Sequence, residues 1–155
     1  MLVAAPPANR SRLFLLVLIV TAVVSAWSPR LSAGEMFRGP VKARVVRVID
    51  GDTFVAEALL WPGHRLVVTV RLRGIDAPEL KSRCWRERRA AKMARAALEG
   101  MVGHGPVAIS NVAGGKYYGR VLADVATPGG TALAPALLAL AVVRPYRGGR
   151  RDTWC

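Results

Sequence analysis

Three β-like runs stand one after another near the start of this chain, and the pattern then changes period. Val41–Ile49, Thr53–Leu60 and Arg65–Arg73 are rich in β-branched residues, which suit a pleated, half-buried surface. Asp50-Gly51 and Trp61-Pro62-Gly63-His64 break them with turn chemistry. Cys84–Met101 is instead rich in Ala, Arg, Glu, Lys, Leu and Met, all good helix formers, and Gly103 stops it. Trp85, Ala90, Met93, Ala97, Leu98 and Met101 fall to one side of that helix. Val107–Val112 and Arg120–Ala126 predict two more strands, separated by Gly114-Gly115. Ala132–Val143 predicts an apolar helix, with Pro135 tolerable only in its first turn. The tail, RPYRGGRRDTWC, reads as a basic loop.

The order is three strands, a helix, two strands and a helix. Strands that meander and are capped by helices predict an α+β, mainly β domain. A five-stranded Greek-key barrel of OB type, with two or three helices, fits this element count. No internal repeat is evident.

The segment ahead of the first strand is set aside from fold reasoning. Arg10 and Arg12 precede Leu13–Trp27, an almost unbroken apolar run shorter than the roughly 20 residues of a spanning helix. Residues 1–26 are expected to be a signal peptide, cleaved after Ala26 with Val24 at −3, or else an uncleaved anchor. In either case the remainder lies outside the cytoplasm, periplasmic or secreted, and only an anchor would bring it to the membrane. Residues 27–40 read as a linker and 41–155 as the domain.

Within 155 residues there are 23 basic and 10 acidic side chains, a formal charge of +13. Such a balance favours an anionic partner, though a GC-rich coding sequence also enriches arginine. Against that background, acids gather at two strand ends. Asp50 and Asp52 flank Gly51, and Asp76 and Glu79 flank Ala77-Pro78. Singly, each reads as a turn residue or a solvated charge. Jointly, the two carboxylates of Asp52 and Asp76 and the carbonyl of Ala77 are hard oxygen donors, suited to Ca²⁺ or Mg²⁺. Cys84 and Cys155 allow a disulfide in an exported domain, but sequence separation does not set their Cβ distance. They have no histidines at ligand spacing for a zinc site.

The segments DGDT, VRLRGIDAPE and YYGRVLADV, in this order and spacing, resemble the signatures of the staphylococcal nuclease (thermonuclease) family from about Val41 to Tyr146. The resemblance implies an OB-type barrel and Ca²⁺-dependent hydrolysis of phosphodiester bonds in DNA and RNA, with 3′-phosphate products. It implies that Asp52, Asp76 and the Ala77 carbonyl bind calcium and that Glu79 activates water. It further implies that Arg71 and Arg120 bind phosphate and that Tyr118 and Tyr146 lie near a base. Three oxygen donors would then converge on one ion, with two guanidinium groups facing it across a phosphate-sized gap. Lys116 stands where relatives often have an acid, and Ala141 where they tend to have glycine. A monomer is expected, without an obligate protein partner. Non-catalytic copies of the domain bind nucleic acid or protein, but these typically lack some of the acids or arginines kept here.

Overall fold

β1 (Val41–Asp50), β2 (Thr53–Trp61) and β3 (His64–Leu72) form an antiparallel meander. The computed structural model describes residues 36–103, 105–115, 117 and 119–155. The leader or anchor expected over residues 1–26 lies outside the described residues, and so does Tyr118. β2 turns into β3 at Pro62-Gly63, where Gly63 has φ +80°, a conformation that glycine adopts without steric cost.

Barrel closure comes from the second half of the chain. β6 (Arg120–Ala126) joins β3 in parallel, from Thr69↔Arg120 to Leu72↔Ala123. β5 (Val107–Gly114) pairs antiparallel with β6 and closes on β1 through Val41↔Ile109. The order β1-β2-β3-β6-β5 is a closed barrel, so no long strand edge stays open. A parallel pair needs a long crossover, and helix α1 (Trp85–Val102) with β5 supplies it. This is the mainly β, five-stranded barrel of OB type expected from the sequence, with two helices among the described residues. Phe37 exchanges two backbone hydrogen bonds with Val112, at 2.8 and 2.7 Å, so the barrel takes in residues ahead of β1.

The packing face of α1 differs from the expected one. Ala91, Ala94, Leu98 and Val102 are buried, whereas Trp85 and Met93 are exposed. The cause is the β1–β2 turn. A Cβ on Gly51 would lie 2.5 Å from the Ala94 Cβ, so the helix approaches too closely for anything larger than alanine. Trp85 and Met93 are rotated outward, while Leu98 and Val102 reach the core further along the helix.

Helix α2 (Leu133–Ala139) is shorter than the expected Ala132–Val143. It ends because Ala141 adopts φ +54°, a left-handed conformation that disfavours a side chain and in which glycine is at ease. Pro135 is the third residue of this helix, where no intrahelical donor is lost. Phe54, Val70, Leu72, Leu98, Leu133 and Leu137 form the centre of the core, each contributing about 1.5–3 kcal/mol on burial.

Two strands of two residues each carry too little sequence to show a period: β4 (Ile75–Asp76) and β7 (Arg144–Pro145). They pair antiparallel as Ile75↔Pro145 and Asp76↔Arg144, which lays the C-terminal tail beside the acid-bearing turn.

Candidate active site

The site begins with register. Thr53 pairs with Arg71 across β2 and β3, so the residue ahead of Thr53 lies beside the arginine. Asp52 is held from several sides. Its N–H donates to Asp50 Oδ1 at 3.2 Å, and its carbonyl accepts the Leu72 N–H at 2.8 Å. Thr53 Oγ1 donates to Asp52 Oδ1 at 2.6 Å, and the Ala77 N–H donates to Oδ2 at 3.1 Å. The two strand-end turns are thereby joined through one carboxylate.

Arg71 completes the junction. Its Nη1 donates to Asp52 Oδ1 at 3.0 Å, and its Nη2 lies 2.7 Å from Asp52 Oδ2 and 3.1 Å from Asp76 Oδ1. One guanidinium nitrogen thus bridges two carboxylates, both buried. Breaking such a buried pair by removing one partner costs about 3–5 kcal/mol. Burial pushes the Asp52 carboxyl up to about 7, and the Arg71 charge pulls the other way. A further positive charge beside Asp52 would favour its ionised form.

Glu79 stands at the open side. Its backbone N–H donates to Glu87 Oε1 in the first turn of α1 at 3.0 Å, and its carboxylate is paired with Arg151 Nη1. Arg120 is two residues before Leu122, which pairs with Arg71, and its guanidinium lies over the Tyr117 ring, 4.6 Å from the centroid. Arg71, Arg120, Glu79, Tyr117, Tyr146 and Arg151 line one cleft of about 550 Å³. Tyr146 is fixed by its N–H to the Gly74 carbonyl and by its hydroxyl to the Gly149 carbonyl, both 2.8 Å.

The structure therefore brings Asp52, Asp76, Ala77, Glu79, Arg71, Arg120 and Tyr146 to one place. Arg71 does not face the acids across a gap but is hydrogen-bonded to both aspartates. Cys84 and Cys155 form a disulfide with their Cα atoms 6.5 Å apart. Sequence reasoning missed Tyr117, Arg151 and Trp154. Arg151 Nε lies 2.9 Å from Asp76 Oδ1, and Trp154 Nε1 donates to Asp76 Oδ2 at 3.4 Å. The signal that could have found the last two was Cys155: a bond to Cys84 returns the tail to the start of α1, next to Glu79.

The donor set bears on calcium. Among the described residues no group of three or more His, Cys, Asp and Glu side chains is placed to hold a metal ion. Two carboxylates with backbone and water oxygens are nonetheless a normal calcium shell, which takes about six to eight oxygens of mixed origin. Hard donors and a buried carboxylate that gains from added positive charge fit that ion.

A closed OB-type barrel that gathers acids and guanidinium groups at one cleft has the charges to hold a cation and a phosphate. The family model for staphylococcal nuclease homologues matches residues 69–149, more than half of the chain, and the chain belongs to this family. No curated protein matches it. The matched span holds Arg71, Asp76, Ala77, Glu79, Arg120 and Tyr146. Asp52 precedes it, in the DGDT segment, and Arg151 follows it; contacts with Arg71 and Ala77 join Asp52 to the matched residues, and contacts with Asp76 and Glu79 join Arg151.

Proposed function

We propose that this protein is a calcium-dependent nuclease of low sequence specificity that hydrolyses phosphodiester bonds in DNA, RNA or both outside the cytoplasm. The observation that carries the reading is the Arg71 guanidinium bridging the buried Asp52 and Asp76 carboxylates in the cleft that Glu79 and Arg120 share. Export rests on the apolar run Leu13–Trp27 after Arg10 and Arg12. The chain acts as a monomer.

The scissile phosphate is an anion and repels a hydroxide nucleophile. Calcium held by Asp52, Asp76 and the Ala77 carbonyl would supply Lewis-acid charge against that repulsion. With the aspartates' charge matched by the cation, Arg71 would exchange its carboxylate partners for phosphate oxygens, and Arg71 and Arg120 would then stabilise the additional charge of the transition state through planar, permanently charged forks. Glu79 orients an attacking water and accepts its proton. Tyr118 and Tyr146 would stack on a base, and stacking tolerates every base. The remaining arginines attract the polymer without reading its sequence.

The test is cleavage of plasmid and single-stranded DNA in Ca²⁺ and in EDTA, by wild type and by Glu79→Gln. Cleavage only by wild type with Ca²⁺ supports the reading, and equal cleavage in all four conditions overturns it. Retardation of DNA without cleavage would make the domain a binding module instead.

A further inference from the structure

We propose that Arg151 is a third phosphate-binding guanidinium of this cleft, delivered from the C-terminal tail and held there by the Cys84–Cys155 disulfide. The proposal rests on the nuclease reading above. Arg151 touches Asp76 through Nε and Glu79 through Nη1. Those are an acid of the ion side and the acid of the water side. The reacting phosphate must lie between ion and water, so Arg151 stands beside its position. Its side chain is 41% exposed, against 13% for Arg71, which leaves it open to a ligand entering the cleft.

The tail is built to hold this position. β7 pairs Arg144 with Asp76, and Arg144 Nη1 donates to the Thr153 carbonyl at 2.9 Å. The Arg144 guanidinium lies 3.9 Å from the centre of the Trp154 ring, whose Nε1 reaches Asp76. Cys155, four residues beyond Arg151, is fixed at Cys84, the residue immediately before α1. Arg151 is thus fastened on both sides.

In the free protein its charge is matched by the two acids. When a divalent cation matches Asp76 instead, the guanidinium exchanges a carboxylate oxygen for a phosphate oxygen of like charge and geometry. A tail that merely plugged the cleft would make the same contacts, but its removal would have the opposite effect on turnover.

The experiment uses the full, oxidised chain as wild type, Arg151→Gln, Arg151→Lys, Cys155→Ser and the exposed neighbour Arg150→Gln. Binding of a 5′-fluorescein-labelled single-stranded DNA oligonucleotide with phosphorothioate linkages, chosen to resist cleavage, is followed by anisotropy over a salt series, in Ca²⁺ and in EDTA. Cleavage of the phosphodiester oligonucleotide of the same sequence in Ca²⁺ gives kcat and KM. Arg151→Gln is expected to weaken binding about tenfold and to flatten the log–log salt dependence by about 0.7. Arg151→Lys should recover part of the affinity, and Arg150→Gln should show a smaller loss. Cys155→Ser should weaken binding in the direction of Arg151→Gln. Faster cleavage by Arg151→Gln, or binding no weaker than that of Arg150→Gln, overturns the proposal. Unchanged binding by Cys155→Ser overturns the role of the disulfide. If wild type binds but does not cleave, the nuclease reading fails, and the anisotropy series still decides Arg151.

Discussion

Substituting Gly51 by alanine tests the contact that sets both the helix and the acid turn. An added Cβ would lie 2.5 Å from the Ala94 Cβ and 3.0 Å from the Ala77 Cβ. Carbon atoms at rest sit about 3.5–4.0 Å apart, so the shortfall is about 1 Å on the helix side. Both opposing atoms are alanine Cβ atoms, fixed to backbone with no rotamer to yield, so turn or helix must move. Overpacking of this kind costs about 1–3 kcal/mol, offset by about 0.5 kcal/mol from the reduced freedom of the unfolded chain. Thermal unfolding followed by circular dichroism should fall by about 4–10 °C for a domain of this size. The same shift moves Asp52, so calcium-dependent cleavage should fall as well. Ala94→Gly alone should cost about 1 kcal/mol of helix propensity. Combined with Gly51→Ala it should restore space, and the double variant should be more stable than the two losses added together by about 1 kcal/mol. Gly51→Ala as stable as wild type, or losses additive within about 0.5 kcal/mol, would refute the close approach as the reason for glycine.

Leu98→Ala, which empties a fully buried site, should lose about 2–5 kcal/mol in urea unfolding. Reducing the disulfide, whose cysteines are 71 residues apart, should lower stability by about 4 kcal/mol in guanidinium unfolding if unfolded-chain entropy dominates. Without calcium, stability should fall as pH rises from about 4 to about 7. The folded Asp52 keeps its proton up to about 7 whereas the unfolded residue loses it near 3.8, so the folded state binds more protons across that window. Urea melts at pH 4.5, 6 and 7.5 should show the fall, calcium should reduce it by competing for the ionised carboxylate, and Asp52→Asn should flatten it.

The β-branched runs placed β1, β2, β3 and β6 within about two residues, because alternation over seven or more positions is a strong local signal. The burial face of α1 was not legible, because it depends on what the helix meets. Ala91 and Ala94 are buried because Gly51 approaches there, and no periodicity within the helix announces that neighbour. The early end of α2 was half legible, since glycine is expected where Ala141 takes a positive φ.

The site divides in the same way. DGDT and RGIDAPE set out Asp52, Asp76, Ala77 and Glu79 by local chemistry: short polar side chains at turns that end strands. That one arginine clasps both aspartates follows from pairing Thr53 with Arg71, a relation between strands. Arg151 came from beyond the reach of any local pattern. A loop-like basic tail has no period, and β4 and β7 are two residues each. Only the folded chain, with Arg144 paired to Asp76 and Cys155 bonded to Cys84, brings that charge beside Glu79. Local sequence determined the elements and the kinds of side chain at their ends, because backbone preference and turn chemistry act within a few residues. Tertiary structure decided which charges meet, because Coulomb attraction and hydrogen bonding depend on distance in space and not along the chain.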